Sequence, residues 1–185
     1  MTRVQPTDLP PTSLLCRHQA RGAYADCYTT VLPVAVLPAQ YIEAFYTTAL
    51  FKAERRLIAL VMRRPSSDAD ARALARGTRQ DFAAWRVEDR TDDQIMLADL
   101  SGKTRSWLMA VPAGGAAGHN PSATRLYFGS AVLSRPDPKT GQQRLGFGFH
   151  ALLGAHKLYS RLLLRAAAER LQRLQPVQQD KGGVG

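Results

Sequence analysis

Apolar residues recur at two periods along the chain, and the switches between them divide it into three blocks. From Pro38 to Arg64, Ile42, Phe45, Tyr46, Ala49, Leu50, Ala53, Leu57, Leu60 and Val61 keep a helical spacing. From Phe82 to Leu133 the pattern shortens to strand length, with segments Phe82 to Glu88, Gln94 to Asp99, Lys103 to Val111 and Thr124 to Leu133. The helical period then returns in Phe149 to Leu174, whose stripe is Phe149, Leu152, Leu153, His156, Tyr159, Ser160, Leu163 and Leu164.

Punctuation residues set the boundaries. Tyr24 to Leu32, rich in Tyr, Thr and Val, predicts a first strand that Pro33 ends. Pro38 suits a first helical position, Thr47-Thr48 bends or divides the helix, and Pro65 stops it. Glu54, with Lys52, Arg55 and Arg56, marks the wet face of that helix. Ser66 to Asp70 is an N-cap cluster for a short helix to Arg76, and Gly77 terminates it. The pattern predicts an α+β fold: an antiparallel sheet of five or more strands, helices on one face and a long C-terminal helix. Residues 1–20 are Pro- and Thr-rich and are expected to be mobile, residues 21–174 to form one domain, and residues 175–185 to be a disordered tail.

Hairpin arithmetic predicts which side chains share a face. A two-residue loop at Ser101-Gly102 sets Ala98 opposite Arg105, Leu97 opposite Ser106, Met96 opposite Trp107 and Ile95 opposite Leu108. A five-residue loop from Asp89 to Asp93 sets Val87 opposite Ile95 and Trp85 opposite Leu97. Alternation then separates an apolar face, with Trp85, Val87, Ile95, Leu97, Ser106, Leu108 and Ala110, from a mixed one. The apolar face is expected under the helices. The mixed face carries Arg86, Met96, Arg105, Trp107 and Met109, residue types that suit either a solvated sheet face or a protein-interaction surface. Glu88, Asp99 and Asp81 are the expected ion-pair partners of its arginines.

Composition removes several function classes. The chain has 185 residues, 45% of them hydrophobic, and only two cysteines, Cys16 and Cys27, expected as free thiols. No run is long and apolar enough for a transmembrane segment, and no secretory leader is legible, so a cytoplasmic protein is expected. Net charge is +10 and the pI near 10.2. The excess lies in the two helical stretches, +3 over 41–64 and +5 over 144–174, while 65–105 sums to −1. Without a basic tract or an aromatic-basic signature, no specific nucleic-acid partner is expected. The Ala- and Arg-heavy composition points to a bacterial source.

Motif chemistry is sparse. His18, His119, His150 and His156 form no metal-ligand pair, and no metal or cofactor is expected. Phe128 to Val132, FGSAV, is not a nucleophile elbow, because Ser130 sits mid-strand. Gly146-Phe147-Gly148 reads as a hinge before the last helix. His156, Tyr159 and Ser160 are the densest polar cluster on any apolar stripe, as a pocket with orienting groups requires.

The element order, carried by Tyr24 to Leu32, Pro38 to Arg76, Phe82 to Leu133 and FHALLGAHKLYSRLLLRA from Phe149, resembles the helix-grip fold of START-like and polyketide-cyclase-like proteins. That resemblance implies a last helix roofing an apolar cavity on a curved sheet of six or seven strands. It requires a further strand here, for which residues 135–143 are the candidate. The segments IEAFYTTALFKAERR and HKLYSRLLL are also similar to those of an uncharacterised bacterial family. The leading expectation is non-catalytic binding of a small hydrophobic or amphipathic ligand by Trp85, Leu97, Leu108, Phe149, Leu152, His156, Tyr159 and Ser160. Two alternatives stand beside it: a protein-interaction module using the Trp107 face, and a cyclase- or hydratase-like enzyme using His156 and Tyr159.

Overall fold

A computed structural model of the protein describes residues 3–114, 123–133 and 147–174, with side chains of the last stretch from residue 154 onward. The strands are β1 (Gln5–Pro6), β2 (Tyr24–Leu32), β3 (Asp81–Phe82), β4 (Trp85–Arg90), β5 (Gln94–Asp99), β6 (Thr104–Pro112) and β7 (Thr124–Val132). The helices are α1 (Cys16–Gln19), α2 (Pro38–Tyr46), α3 (Ala49–Met62), α4 (Asp68–Ala75) and α5 (Phe147–Leu174). The strands form one antiparallel sheet in the order β1-β2-β7-β6-β5-β4-β3, so the α+β class read from the sequence is the observed one. The two strands missed by periodicity are two-residue edge strands, too short to show a period. The candidate strand at 135–143, the tail at 175–185 and His119 lie outside the described residues. Among those described, no helix is long and apolar enough to cross a membrane.

Local chemistry sets the helix breaks. The Thr47 hydroxyl donates to the Glu43 carbonyl at 2.7 Å, closing α2. Thr48 turns extended, and its Oγ1 accepts the Phe51 amide at 3.2 Å, restarting the chain as α3. The restart changes the helical phase. Phe51 and Arg55 face inward, whereas Leu57, Leu60 and Val61 are 61%, 79% and 72% exposed, contrary to the core position their spacing predicts. Ser67 caps α4: its Oγ accepts the Asp70 amide while the Asp70 carboxylate accepts the Ser67 amide. Asp68 then ties α4 to α3, pairing with Arg55 at 2.7 Å and Lys52 at 2.5 Å.

The β5–β6 register is the expected one, from Ile95 opposite Leu108 to Ala98 opposite Arg105. The β4–β5 register differs. Val87 pairs with Leu97 and Trp85 with Asp99, two residues from the expected partners, and a bulge lies between Val87 and Asp89. The connection is only Thr91 to Asp93, because β4 continues to Arg90. A shift of two leaves the faces unchanged, so Trp85 and Val87 still lie with Ile95, Leu97 and Leu108 beneath the helices.

That face carries the main core. Phe45 meets Phe128 at 4.8 Å between ring centroids, and Tyr46 meets Phe51 at 4.9 Å and Phe82 at 5.2 Å. Helix α5 lies against α2 and crosses β2 and β7, burying Leu163 and Leu164 of the expected stripe and, beyond it, Ala167, Ala168 and Leu171.

The mixed face is not a free surface. Met96, Trp107 and Met109 are fully or almost fully buried beneath Leu9, Leu14 and Leu15 of the N-terminal segment. Gln94 fastens that segment: its Oε1 accepts the Trp107 indole N–H at 2.8 Å and the Leu14 amide at 3.0 Å, and its Nε2 donates to the Thr12 carbonyl at 3.1 Å. The segment expected to be mobile thus covers the face expected to be open, because Leu9, Leu14 and Leu15 supply a second apolar layer within a Pro-rich run. Arg105 pairs with Glu88 at 2.5 Å, and Glu88 also meets Arg17 and His18 from α1. Arg86 alone of the five proposed interaction residues stays well exposed, paired with Asp81 at 2.7 Å.

Gly129 in β7 permits this closeness. A Cβ there would stand 2.9 Å from both Leu15 Cδ1 and Trp107 Cε3, and 3.0 Å from the Asp26 carbonyl oxygen. Gly129→Ala is expected to lower stability by about 1–3 kcal/mol through overpacking. Urea unfolding followed by circular dichroism measures it; a midpoint equal to wild type would show that the N-terminal layer is not seated as described.

Candidate functional site

A cavity of about 220 Å³ lies between α3, α5 and the strands β4, β6 and β7. Phe45, Phe51, Phe128, Val132 and Leu163 give it apolar walls, with Trp85 on the sheet side. Glu54, Ser106, Ser130, His156, Tyr159 and Ser160 bring polar groups to it.

Four residues singled out from the sequence, Trp85, His156, Tyr159 and Ser160, meet at this cavity. Leu97 and Leu108 do not line it; they are buried in the core. Phe149 and Leu152 belong to the first turns of α5, where side chains lie outside the described residues. Of the mixed-face set only Arg105 touches the cavity, between Thr104 and Ser106, while its guanidinium pairs with Glu88.

Periodicity missed three residues that complete the site. Asp26, on β2, stands opposite Ser130 of β7 in the ladder, a pairing between strands far apart in sequence. Ser130 Oγ donates to Asp26 Oδ1 at 2.6 Å. His156 Nε2 lies 2.8 Å from Ser130 Oγ and 3.4 Å from Asp26 Oδ2. The single Ser130 proton points at Asp26, so Nε2 is assigned as the donor to Ser130. Burial opposes ionisation of Asp26, but the hydrogen bonds from His156 and Ser130 outweigh it and hold the carboxyl below its ordinary range. Serine and aspartate share one ring nitrogen, whereas a nucleophilic triad needs them on opposite nitrogens. The trio therefore fixes the His156 ring and leaves Ser130 unactivated.

The third missed residue, Glu54, lies where the new phase of α3 turns it toward α5. It accepts a short hydrogen bond from the Tyr159 hydroxyl. Burial pushes the Glu54 carboxyl up, and the bond from Tyr159 offsets this only in part. Tyr159 is raised as well, by burial first and then by Glu54, so it remains a phenol at neutral pH. The cavity wall thus carries one carboxyl biased toward its neutral acid, Glu54, while Asp26, stabilised as an anion, stands behind the lining residues Ser130 and His156. A further polar group on each of two lining residues, Trp85 Nε1 and Ser160 Oγ, is buried without a hydrogen-bond partner among the described residues.

No arrangement of His, Cys, Asp and Glu among the described residues has metal-site geometry. Cys27, its thiol pushed up to about 12 by burial and then by Asp26, faces the N-terminal layer and not the cavity. Comparison with models of known protein families and with curated proteins finds no match.

The opposite shifts of the two carboxyls have opposite signs in stability. Asp26, depressed in the folded state, stabilises above its unfolded value, and that contribution is lost as pH falls through the folded one. Glu54, raised, contributes fully below its unfolded value and loses the contribution as pH rises through the folded one. Glu54→Gln retains an acceptor for Tyr159 and cannot ionise. Its stability relative to wild type should therefore rise as pH is raised above the ordinary glutamate value of about 4.3 toward neutrality. Chemical denaturation across that range tests this, and a pH-independent difference would mean that Glu54 is solvated.

Proposed function

We propose that the protein binds a small amphipathic molecule in the cavity roofed by α5. The carrying observation is a cavity with aromatic and aliphatic walls into which two hydrogen-bonded polar pairs, His156 with Ser130 and Glu54 with Tyr159, reach. The volume of about 220 Å³ suits a monocyclic compound or a short acyl chain, since an apolar cavity of about 150 Å³ accommodates benzene. The apolar body of the ligand would lie among Phe45, Phe51, Phe128 and Leu163. Its polar end would meet the His156 ring or the Glu54 carboxyl.

A second reading, an enzyme of cyclase or hydratase type, is supported by the raised Glu54 carboxyl on the cavity wall beside His156, whose ring is held from behind by the ionised Asp26. On this reading Glu54 carries the proton, because Tyr159 is too weakly acidic at neutral pH. His156 orients the substrate. Chemical change of the bound molecule, seen by mass spectrometry, would favour this reading over simple binding. The Trp107 face is not proposed as a docking surface, being covered by the chain's own N-terminal residues.

Native mass spectrometry of protein purified from its own host tests retention of a ligand. Titration with p-cresol and with hexanoate, followed by calorimetry, gives a measure with defined probes. Trp85 fluorescence should respond to hexanoate, with the response lost in Trp85→Phe and kept in Trp107→Phe. Removing a polar handle with Tyr159→Phe or His156→Leu should weaken binding by about 1 kcal/mol, roughly fivefold in Kd. Unchanged affinity in both, or a response that follows Trp107, would overturn the site.

A further inference from the structure

We propose that the C-terminal end of α3 and the basic hollow that follows it dock the protein on an anionic phospholipid surface. Two observations on consecutive residues support this, and neither depends on the cavity reading. The first is the outward apolar stripe. Leu57, Leu60 and Val61, at i, i+3 and i+4, are 61%, 79% and 72% exposed, and Met62 is 47% exposed. Of these, Leu57 and Leu60 lie on the side away from the buried Phe51 and Arg55, Val61 lies two turns beyond Glu54, and Met62 continues the Phe51–Arg55 side at the helix end. A second apolar face turned to solvent marks an interaction site.

The second observation is the hollow, about 230 Å³, lined by Arg63, Arg64, Ser66, Asp70, Arg79 and Asp81. Its two carboxylates are matched: Asp70 pairs with Arg79 at 2.6 Å, and Asp81 with Arg86 at 2.7 Å. Arg63 and Arg64 have no ion pair or hydrogen bond among the described residues, and Ser66 Oγ is buried without a hydrogen-bond partner. Arg64 lies near enough to Asp81 to help lower its carboxyl, but Arg86 already pairs with that carboxylate, so the two guanidinium groups keep donors for a phosphate oxyanion.

The pairing of the two features selects the occupant. A free phosphate would fill the hollow and leave four apolar side chains in water. A second copy of the chain, meeting this patch with the same patch, would bring Arg63 and Arg64 against their own counterparts. A phospholipid surface satisfies both at once: the apolar face enters the acyl boundary and the arginines meet phosphates at headgroup level. The net charge of +10 draws the protein toward such a surface.

Co-sedimentation of the full chain with phosphatidylcholine vesicles, and with phosphatidylcholine–phosphatidylglycerol vesicles, tests the proposal. Binding is expected only with phosphatidylglycerol. It should fall about tenfold or more in Arg63→Gln/Arg64→Gln and in Leu60→Glu, and stay near wild type in Lys103→Gln/Arg173→Gln, which removes two exposed charges elsewhere. Absence of binding to phosphatidylglycerol vesicles overturns the proposal, as does equal loss in the control variant, which reduces the effect to overall charge. Inorganic phosphate raising Tm without vesicle binding would make the hollow a free-phosphate site and also overturn it. A concentration-dependent dimer dissolved by Leu60→Glu would assign the patch to a second copy instead.

Discussion

Side-chain alternation along β7 is the constraint on which both faces of this protein depend. Leu126, Phe128 and Ser130 point to the helices, while Tyr127, Gly129 and Ala131 point to the N-terminal layer. One strand thereby supplies the floor of the cavity and the seat for Leu15 and Trp107. A slip of one residue would put Ser130 beneath the N-terminal segment and leave Asp26 and His156 without their shared partner. It would also place a bulky neighbour where only the hydrogen of Gly129 fits. Packing on one face therefore fixes the register that the polar chemistry on the other requires.

The parts of this arrangement legible in the sequence are those set by local signals. Proline, threonine and serine marked the ends of α2 and α4, and a two-residue turn fixed β5 against β6. The apolar stripe of α5 likewise placed Tyr159, Ser160 and His156 at the cavity, because a 28-residue helix shows its phase many times over. The illegible parts depend on pairing across long sequence separation. Asp26 and Ser130 are 104 residues apart, and nothing near either announces the other. Glu54 was misread for a different reason. Its charged neighbours Lys52, Arg55 and Arg56 marked a wet face, but after the restart at Thr48 Arg55 is buried and Glu54 turns with it toward α5. The mixed sheet face misled because alternation reports which residues share a face, not what covers them.

The carboxyl on the cavity wall and the one behind it are held in different ways. Asp26 gathers hydrogen bonds from Ser130, Tyr28 and the His156 side, and these compensate its desolvation. Glu54 has only the Tyr159 hydroxyl as a side-chain partner in the described structure, so its burial is relieved more readily by a proton than by partners. An apolar ligand that displaces water near Glu54 would strengthen that preference. A ligand that donates a hydrogen bond to it would weaken the preference. Occupancy and ionisation are therefore coupled through a single side chain, and the polarity of the ligand sets the sign of the coupling.

Helix α3 connects these features, since its inward side reaches the cavity through Phe51 and Glu54 while its outward side presents leucines to solvent. Tertiary packing at the inward side accounts for Phe51 and Arg55, which meet Phe82, Ser67 and Asp68. It does not account for Leu57, Leu60 and Val61, which make the helix apolar on a side where folding gains little from it. Helix propensity favours leucine but not valine at an exposed position, and Lys, Glu or Arg would serve as well without the solubility cost. The apolar character of that face is thus not explained by packing among the described residues.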